Sequence, residues 1–237
     1  MATSRRIVFV AASIGLAMAV SAPARAISTS SQDTFAATNG GWSIGTAGTQ
    51  PTQVSGSGAD GQPGYLTHFS DGSSSNGKWL MWNAQPQWLG NYTSAGVTGI
   101  SLWANVTSGS APVSLRIAFT GPGGWFASAP QSASAGWSPF AFALTAGNFS
   151  YVAGSGGSGT FADTLGGVTR FEVLAGNGGV SYRGGGNLVQ AGLSTNTIQI
   201  DTITAVPEPA AIGLAAAAFA VIALRASARV RRRSSGR

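Results

Sequence analysis

Alternation of apolar and polar residues in the middle of the chain is the feature that most restricts its fold. Five segments alternate with a period of two, and turn-forming residues flank each of them: 100–106, 113–119, 140–144, 169–174 and 197–203. This period places successive side chains on opposite faces, so each segment predicts a strand with one buried face. Residues 27–205 show no convincing helical period. We therefore predict an all-β fold, a single jelly-roll β-sandwich.

The amino terminus has the layout of an export signal. Arg5 and Arg6 supply positive charge, residues 7–20 are apolar, and Ala24-Arg25-Ala26 offers a small-x-small cleavage site. These three parts in this order are typical of a secretory signal peptide. The alternative is an uncleaved anchor, but a spanning helix needs about 20 apolar residues. We predict that residues 1–26 are a signal peptide and that the mature chain begins near Ile27.

The basic charge of the chain belongs to its two ends. The whole chain has a formal net charge of +6. Residues 27–205 contain four basic and six acidic residues, which gives this region a net charge of −2. The high isoelectric point is therefore no argument for nucleic acid as a partner, and we predict none.

Residues 206–237 have three parts: Val206-Pro207-Glu208-Pro209, an apolar run over 210–224, and an arginine-rich end. This order resembles the PEP-CTERM sorting signal of Gram-negative bacteria. The resemblance implies export through the translocon, an apolar helix in the inner membrane and transient recognition by an exosortase. The positive-inside rule then keeps the arginine-rich end cytoplasmic. The final location would be the cell surface or extracellular matrix, and an ordinary tail anchor is the alternative.

The motifs between residues 78 and 205 resemble those of the laminin type IV (laminin B) jelly roll. Trp88-Leu-Gly-Asn91, the segment 168–173 and the closing Ile200-Asp201-Thr202-Ile203 carry the resemblance, with Thr202 where asparagine is usual. The chain has no cysteine, so the disulfides of animal laminins are absent. The resemblance implies a jelly roll, related to galactose-binding-like domains, over residues 27–205.

Catalysis is not predicted. His68 is the only histidine, so any Ser-His-Asp triad must use it, and no nucleophile elbow accompanies the many serines. We expect His68 at the surface or at a strand end. Glycoside hydrolysis needs two carboxyl groups across a cleft. Glu172 is expected to form an ion pair with Arg170, because residues two apart share one face of a strand.

A structural calcium ion is the one cofactor that we consider. Asp33 opens the first expected strand, and Asp201 lies in the last. Related jelly-roll domains often bring these two ends together around calcium, which prefers carboxylate and carbonyl oxygens. Asp60 and Asp71 lie in glycine-rich loops and could join the site. The alternative is that Asp33 caps a turn and Asp201 bonds to nearby backbone.

Outward-facing aromatic residues give the best binding hypothesis. If Ile100 and Leu102 face the core, then Trp103 faces outward beside Ser101 and Asn105. By the same alternation Arg116 faces outward on the next strand. An indole ring beside hydrogen-bonding groups suits a sugar, whose C–H face stacks on the ring. The alternative is that Trp103 packs beneath a loop. Trp79, Trp82 and Trp88 are expected in core or edge packing.

The sequence thus predicts an exported, exosortase-sorted protein with a non-catalytic, carbohydrate-binding jelly roll. PEP-CTERM systems tend to accompany polysaccharide production, so exopolysaccharide is the implied partner. A purely structural coat protein without a specific ligand is the first alternative. A polysaccharide-acting hydrolase is the second.

Overall fold

The computed structural model of the protein describes residues 26–44, 50–71, 79–109, 112–157, 159–184, 187–191 and 195–207. Residues 1–25 of the predicted signal peptide and the tail from Glu208 onward lie outside these ranges. Within the described ranges, no helix has the length and apolar character needed to cross a membrane.

Strands dominate the described part of the chain. The fourteen strands are β1 (Gln32–Asp33), β2 (Thr52–Ser55), β3 (Gly64–Ser70), β4 (Leu80–Asn83), β5 (Val97–Ser108), β6 (Val113–Gly121), β7 (Gly124–Ser128), β8 (Gln131–Ala133), β9 (Ser138–Ala143), β10 (Phe149–Tyr151), β11 (Arg170–Gly176), β12 (Val180–Gly184), β13 (Asn187–Gln190) and β14 (Asn196–Pro207). The five segments with period-two alternation form β5, β6, β9, β11 and β14. The all-β prediction is confirmed.

Two antiparallel sheets form the sandwich. Sheet A has the strand order β2-β3-β14-β5-β9, and β1 also pairs with β14. Sheet B has the order β10-β7-β6-β11-β4, and β8 also pairs with β6. Strands β12 and β13 form a separate hairpin. The last strand thus lies beside β3 and β5 in the middle of its sheet, an arrangement that requires the crossing connections of a jelly roll.

The core between the sheets is built from the inward positions of facing strands. Leu102 of β5 and Ile117 of β6 are almost fully buried. Phe171 of β11 lies in an aromatic cluster, with its ring centroid 5.3 Å from that of Trp42 and 5.2 Å from that of Trp88. Burial of several aromatic rings in one cluster supplies the apolar area that a chain without disulfides needs.

One short helix departs from the sequence analysis. The helix α1 spans Phe161–Leu165, and Thr160 caps its amino terminus. The backbone N–H of Asp163 donates to Thr160 Oγ1 at 3.2 Å, while the backbone N–H of Thr160 donates to Asp163 Oδ2 at 2.7 Å. These reciprocal bonds form a capping box. The helix escaped detection because five residues are too few to show a helical period.

The closing strand β14 contains a bulge at Thr202. Its pairing with β5 shifts register between Asp201 and Thr204, and Thr202 adopts a left-handed conformation with φ of 46°. β-branched residues are strained in this region, whereas asparagine tolerates it. The backbone at this position therefore suits asparagine better than the threonine that is present.

We expect Thr202→Asn to stabilise the protein by about 1 kcal/mol, because a non-glycine residue in the left-handed region costs roughly 1–3 kcal/mol. Urea denaturation of the wild type and the variant measures the difference. Thr204→Asn, at an ordinary strand position two residues later, is the matched control and should not stabilise. A less stable Thr202→Asn variant would contradict this account of the bulge.

Candidate functional site

The outer face of sheet A carries three of the residues predicted to contact a glycan. Ile100 and Leu102 of β5 face the core, and Ser101, Trp103 and Asn105 alternate with them on the outer face, each half-buried. The predicted outward orientation of Trp103 is therefore observed.

Two further aromatic residues lie on this face of sheet A. Tyr65 alternates with the buried Leu66 of β3, so it faces outward, and its ring contacts the ring of Trp137 with centroids 5.7 Å apart. Asp201 of β14 pairs with Trp103 of β5. The residue before it, Ile200, pairs with Leu66 of β3, the neighbour of Tyr65. Tyr65 and Trp103 therefore flank Asp201 in one row across the sheet. We call Tyr65, Ser101, Trp103, Asn105 and Trp137 the Trp103 platform.

Hydrogen bonds fix the amide of the Trp103 platform. Asn105 Nδ2 donates to Gln199 Oε1 at 2.9 Å, and the backbone N–H of Gly136 donates to Asn105 Oδ1 at 2.9 Å. A fixed amide beside half-buried aromatic rings combines the two elements of sugar recognition, which are stacking on C–H faces and hydrogen bonding to hydroxyls.

Arg116, the fourth predicted glycan residue, does not belong to this platform. It faces outward as expected, but its strand β6 lies in sheet B, and its Nη1 donates to the Ser128 carbonyl at 2.6 Å. The grouping of Arg116 with Trp103 was wrong. Alternation tells whether a side chain faces inward or outward, but it does not tell which of two sheets contains the strand.

The outer face of sheet B carries a second cluster, which sequence reasoning did not assemble. We call Trp82, Trp125, Arg170, Glu172 and Tyr182 the Arg170 cluster. The guanidinium carbon of Arg170 lies 4.2 Å from the ring centroid of Trp82 and 5.5 Å from that of Trp125. Trp125 in turn contacts Tyr182 of the hairpin, with centroids 6.2 Å apart. The two distances from Arg170 to the indole rings fit cation–π contacts.

The predicted ion pair between Arg170 and Glu172 is present in this cluster. Arg170 Nε lies 2.9 Å from Glu172 Oε1, and the carboxyl of Glu172 is fully buried. Burial raises the pKa of Glu172 to about 8, against the opposing effect of the nearby Arg170 charge. The pairing with this buried carboxyl fixes the position of the Arg170 guanidinium within the cluster.

The β12–β13 hairpin packs beside the Arg170 cluster. Leu188 of β13 is fully buried and forms a second, smaller apolar cluster with residues of the outer face of sheet B, including Leu174 and Ala118. The sequence signal for this second layer is Leu80-Met-Trp82, in which Leu80 and Trp82 alternate with the core residue Met81. Trp82 packs on the outer face of the edge strand β4, and Trp79 and Trp88 are fully buried, so all three agree with the expected core or edge packing.

His68 lies in the core. The sequence analysis expected it at the surface or at a strand end, and this expectation was wrong. It is 2% exposed on β3, its ring centroid lies 5.5 Å from that of Trp79, and Trp79 Nε1 donates to its carbonyl at 2.8 Å. Neither ring nitrogen has a hydrogen-bond partner among the described residues. Burial lowers the pKa of His68 to about 4. The described residues therefore form no Ser-His-Asp triad around it.

Asp33, a predicted calcium ligand, accepts hydrogen bonds from three side chains. Its Oδ2 accepts from Trp42 Nε1 and Trp88 Nε1, each at 2.8 Å, and its Oδ1 accepts from Gln87 Nε2 at 2.6 Å. Burial raises the pKa of Asp33, while these three bonds oppose the rise. N–H donors satisfy a carboxylate in the way that a cation otherwise would.

The structure does not bring Asp33 together with Asp201. Asp33 pairs with Ile203, whose side chain is in the core, whereas Asp201 faces outward and its Oδ1 accepts from the Thr202 backbone N–H at 2.7 Å. Residues opposite each other in a ladder share a face, so the two carboxylates lie on opposite faces of sheet A. Among the described residues, no group of three His, Cys, Asp or Glu side chains could hold a metal ion.

Calcium binding at Asp33 and Asp201 stays a prediction of the sequence analysis, and the geometry favours its alternative, in which each carboxylate bonds within the fold. Since each carboxylate accepts hydrogen bonds within the fold, we expect the melting temperature of the full-length protein to be the same in calcium and in a chelator. Differential scanning calorimetry measures it. A lower melting temperature in the chelator would establish a calcium site that this geometry does not explain.

The first half of the predicted sorting motif is part of the sheet. Val206 and Pro207 are the last residues of β14 and pair with Gly99 and Val97 of β5. Glu208 and Pro209 lie outside the described residues. The strand therefore extends two residues beyond the predicted end of the domain at residue 205.

The fold defines a jelly-roll β-sandwich, and comparison with one solved structure supports this class. The chain is similar to a family 11 carbohydrate-binding module from Clostridium thermocellum in complex with a β-1,3-1,4-mixed-linked tetrasaccharide, with 13% identity, a TM-score of 0.50, and coverage of 74% of this chain and 93% of that one. It also matches the CBM22-1 xylan-binding domain of Paenibacillus barcinonensis Xyn10C, with 13% identity, a TM-score of 0.43, and coverage of 78% and 99%. No model of a protein family matches the chain, and no curated protein does.

Proposed function

We propose that this protein binds carbohydrate, without catalysis, through the Trp103 platform. The observation that carries the proposal is the row of half-buried aromatic rings on an outer sheet face, beside an amide fixed by two hydrogen bonds. Aromatic rings with a few oriented polar groups are the usual elements of a sugar site. The similarity to a carbohydrate-binding module that holds a tetrasaccharide supports the fold class in which such a site is expected.

A non-catalytic role is part of this proposal. The only histidine is buried with no side-chain partner among the described residues. Glu172 is paired with Arg170, and the other carboxylates with described side chains lie elsewhere: Asp33 and Asp201 in sheet A, Asp71 after β3 and Asp163 in α1. Two carboxyl groups facing each other across a cleft are what glycoside hydrolysis requires, and this arrangement does not provide them.

The proposal places the protein outside the cytoplasm. Its two terminal segments resemble a signal peptide and a PEP-CTERM sorting signal, so we propose passage through the translocon and processing by an exosortase at the inner membrane. The jelly roll would then act at the cell surface or in the extracellular matrix, with exopolysaccharide as its ligand. A structural coat protein without a specific ligand is the outcome that a failed binding test would favour.

We expect Trp103→Ala to weaken binding of a neutral polysaccharide by about 10- to 100-fold, because loss of one stacking ring costs roughly 1–3 kcal/mol. Affinity electrophoresis of the full-length protein in gels that contain β-glucan, xylan or agarose measures the retardation.

Tyr151→Ala is the matched control for the Trp103 substitution. Tyr151 is an aromatic residue with 41% exposure on β10, in the other sheet, so its loss should leave the retardation unchanged. If a polysaccharide retards the wild type, Trp103→Ala and Tyr151→Ala equally, the Trp103 platform is not the binding site. No retardation of the folded wild type by any polysaccharide would favour the structural coat.

A further inference from the structure

The outer face of sheet A continues beyond the Trp103 platform along β3. Tyr65, Thr67 and Phe69 occupy successive outward positions of this strand and alternate with buried residues. Phe69 is 44% exposed, and among the described residues only Tyr151 is a second large hydrophobic side chain with comparable exposure. Single exposed apolar side chains are common on protein surfaces. The position of Phe69 relative to the Trp103 platform therefore decides whether it has a role.

The register of sheet A fixes the separation between Phe69 and the Trp103 platform. Phe69 pairs with Thr197 of β14, whereas Tyr65, four residues earlier on β3, lies in the row of Trp103. A strand rises about 3.3 Å per residue, so the two aromatic positions are about 13 Å apart along the strands. This separation exceeds the size of one sugar ring. A glycan that contacts both positions must therefore be a chain of several sugar units.

A row of polar side chains lies between these two aromatic positions. Thr67 of β3, Gln199 of β14 and Asn105 of β5 are paired across the three strands, and each is half-buried. Asn105 Nδ2 donates one proton to Gln199 Oε1 at 2.9 Å, which fixes the orientation of both amides. An amide nitrogen carries two protons, so both side chains keep donors for the hydroxyl groups of a ligand. The face thus offers stacking at both ends of a hydrogen-bonding row.

The charge of this face favours a neutral chain. Asp201 is the only charged side chain at the outward positions of β3, β5 and β14, and it is fully buried. Its Oδ1 accepts from the backbone N–H of Thr202 at 2.7 Å. A sugar acid would find no cation at these positions, whereas neutral hydroxyl groups can bond to the amides of Asn105 and Gln199.

We propose that Phe69 is a second stacking position of the glycan-binding face, and that the ligand is an extended neutral chain that runs along β3 from the Trp103 platform. This inference rests on the proposed carbohydrate-binding function and adds to it the length and the direction of the ligand. One sugar ring stacks on the Trp103 platform and a later ring stacks on Phe69, while the Asn105 and Gln199 amides bond the hydroxyl groups between them. A short oligosaccharide contacts the platform alone.

Oligosaccharides of two lengths test the span of the site. Members with two and with six sugar units of the cello-, xylo- and agaro-oligosaccharide series are titrated into the full-length protein, and tryptophan fluorescence follows binding. In at least one series, the wild type should bind the six-unit member at least about tenfold more tightly than the two-unit member, because only the longer chain reaches Phe69. The series that shows this gain identifies the backbone of the ligand.

Substitutions of Phe69 then separate its role from that of the Trp103 platform. Phe69→Ala should weaken binding of the six-unit chain about tenfold and leave binding of the two-unit chain unchanged. Phe69→Trp keeps a flat aromatic ring and should retain the wild-type affinity for both lengths. Trp103→Ala should weaken both lengths. Tyr151→Ala, which removes a ring of similar exposure from sheet B, is the matched control and should change neither.

The outcomes distinguish failure of this inference from failure of the proposed function. If Phe69→Ala binds the six-unit chain like the wild type, or weakens both lengths by the same factor, Phe69 is not a second stacking position, while the Trp103 platform stands. If the folded wild type binds no oligosaccharide or polysaccharide, both proposals are wrong. Should Phe69→Ala fail to fold, Phe69→Leu decides in the same way, because it keeps the apolar bulk and lacks the ring.

Discussion

Replacement of Asp33 by alanine is expected to lower the free energy of unfolding by roughly 3 kcal/mol or more, because a buried donor left without its acceptor costs about 1–3 kcal/mol. Asp33 accepts from the indole N–H groups of Trp42 and Trp88 and from the amide of Gln87. Both indoles are almost fully buried, so water cannot take the place of the carboxylate without a rearrangement of the core. Urea denaturation of wild type and variant measures the loss.

Asp33→Asn distinguishes hydrogen-bond acceptance from charge. Its amide oxygen can occupy the position of Oδ2 and accept both indole protons, and a flip of the Gln87 amide restores the third bond. We therefore expect Asp33→Asn to cost only about 1 kcal/mol. An alanine variant as stable as the wild type would contradict the role assigned to Asp33. An asparagine variant as damaged as the alanine variant would indicate that the charge, and with it a cation, is required.

Glu172→Gln is expected to remove most of the loss of stability that the wild type shows between about pH 5 and pH 8. Burial raises the pKa of Glu172 from 4.5 to about 8, so in this range the unfolded chain releases a proton that the folded protein retains. Stability therefore falls as pH rises, by up to about 1.4 kcal/mol per pH unit, and levels off above the folded pKa. Glutamine has similar volume and does not titrate.

Denaturation curves at pH 5, 7 and 9 measure this difference between wild type and Glu172→Gln. The free energy of unfolding of Glu172→Gln should exceed that of the wild type by an amount that grows with pH, reaching on the order of 3–5 kcal/mol at pH 9. Asp163→Asn is a control of opposite sign, since hydrogen bonds from Thr160 lower the pKa of Asp163 and its contribution is lost as pH falls. A difference in the free energy of unfolding that is the same at all three pH values would show that Glu172 does not titrate in the way described.

The strands and their inward faces were predictable because alternation is a local property. Ile100 and Leu102 face inward, Trp103 faces outward, and the Arg170–Glu172 ion pair follows from two residues on one strand. The jelly-roll class also followed from the motifs of the chain. These inferences required no knowledge of which strands are neighbours.

The assembly of the sites was not predictable, because it depends on strand order and on packing between sheets. Arg116 and Trp103 lie on consecutive strands but belong to different sheets. Trp82, Trp125 and Arg170 come from β4, β7 and β11, and meet only because β6 and β11 are central in sheet B. His68 was misplaced because its ring follows the alternation of β3 into the core, whereas its polarity suggested a surface position.

A glycan array probed with the full-length protein, with calcium and with a chelator, is the most direct test of carbohydrate binding. The account predicts saturable binding to at least one neutral polysaccharide, unaffected by the chelator and lost in Trp103→Ala. Binding that vanishes with the chelator would show that a metal ion participates. A folded protein that binds no glycan on the array would contradict the central claim and leave the structural coat as the function.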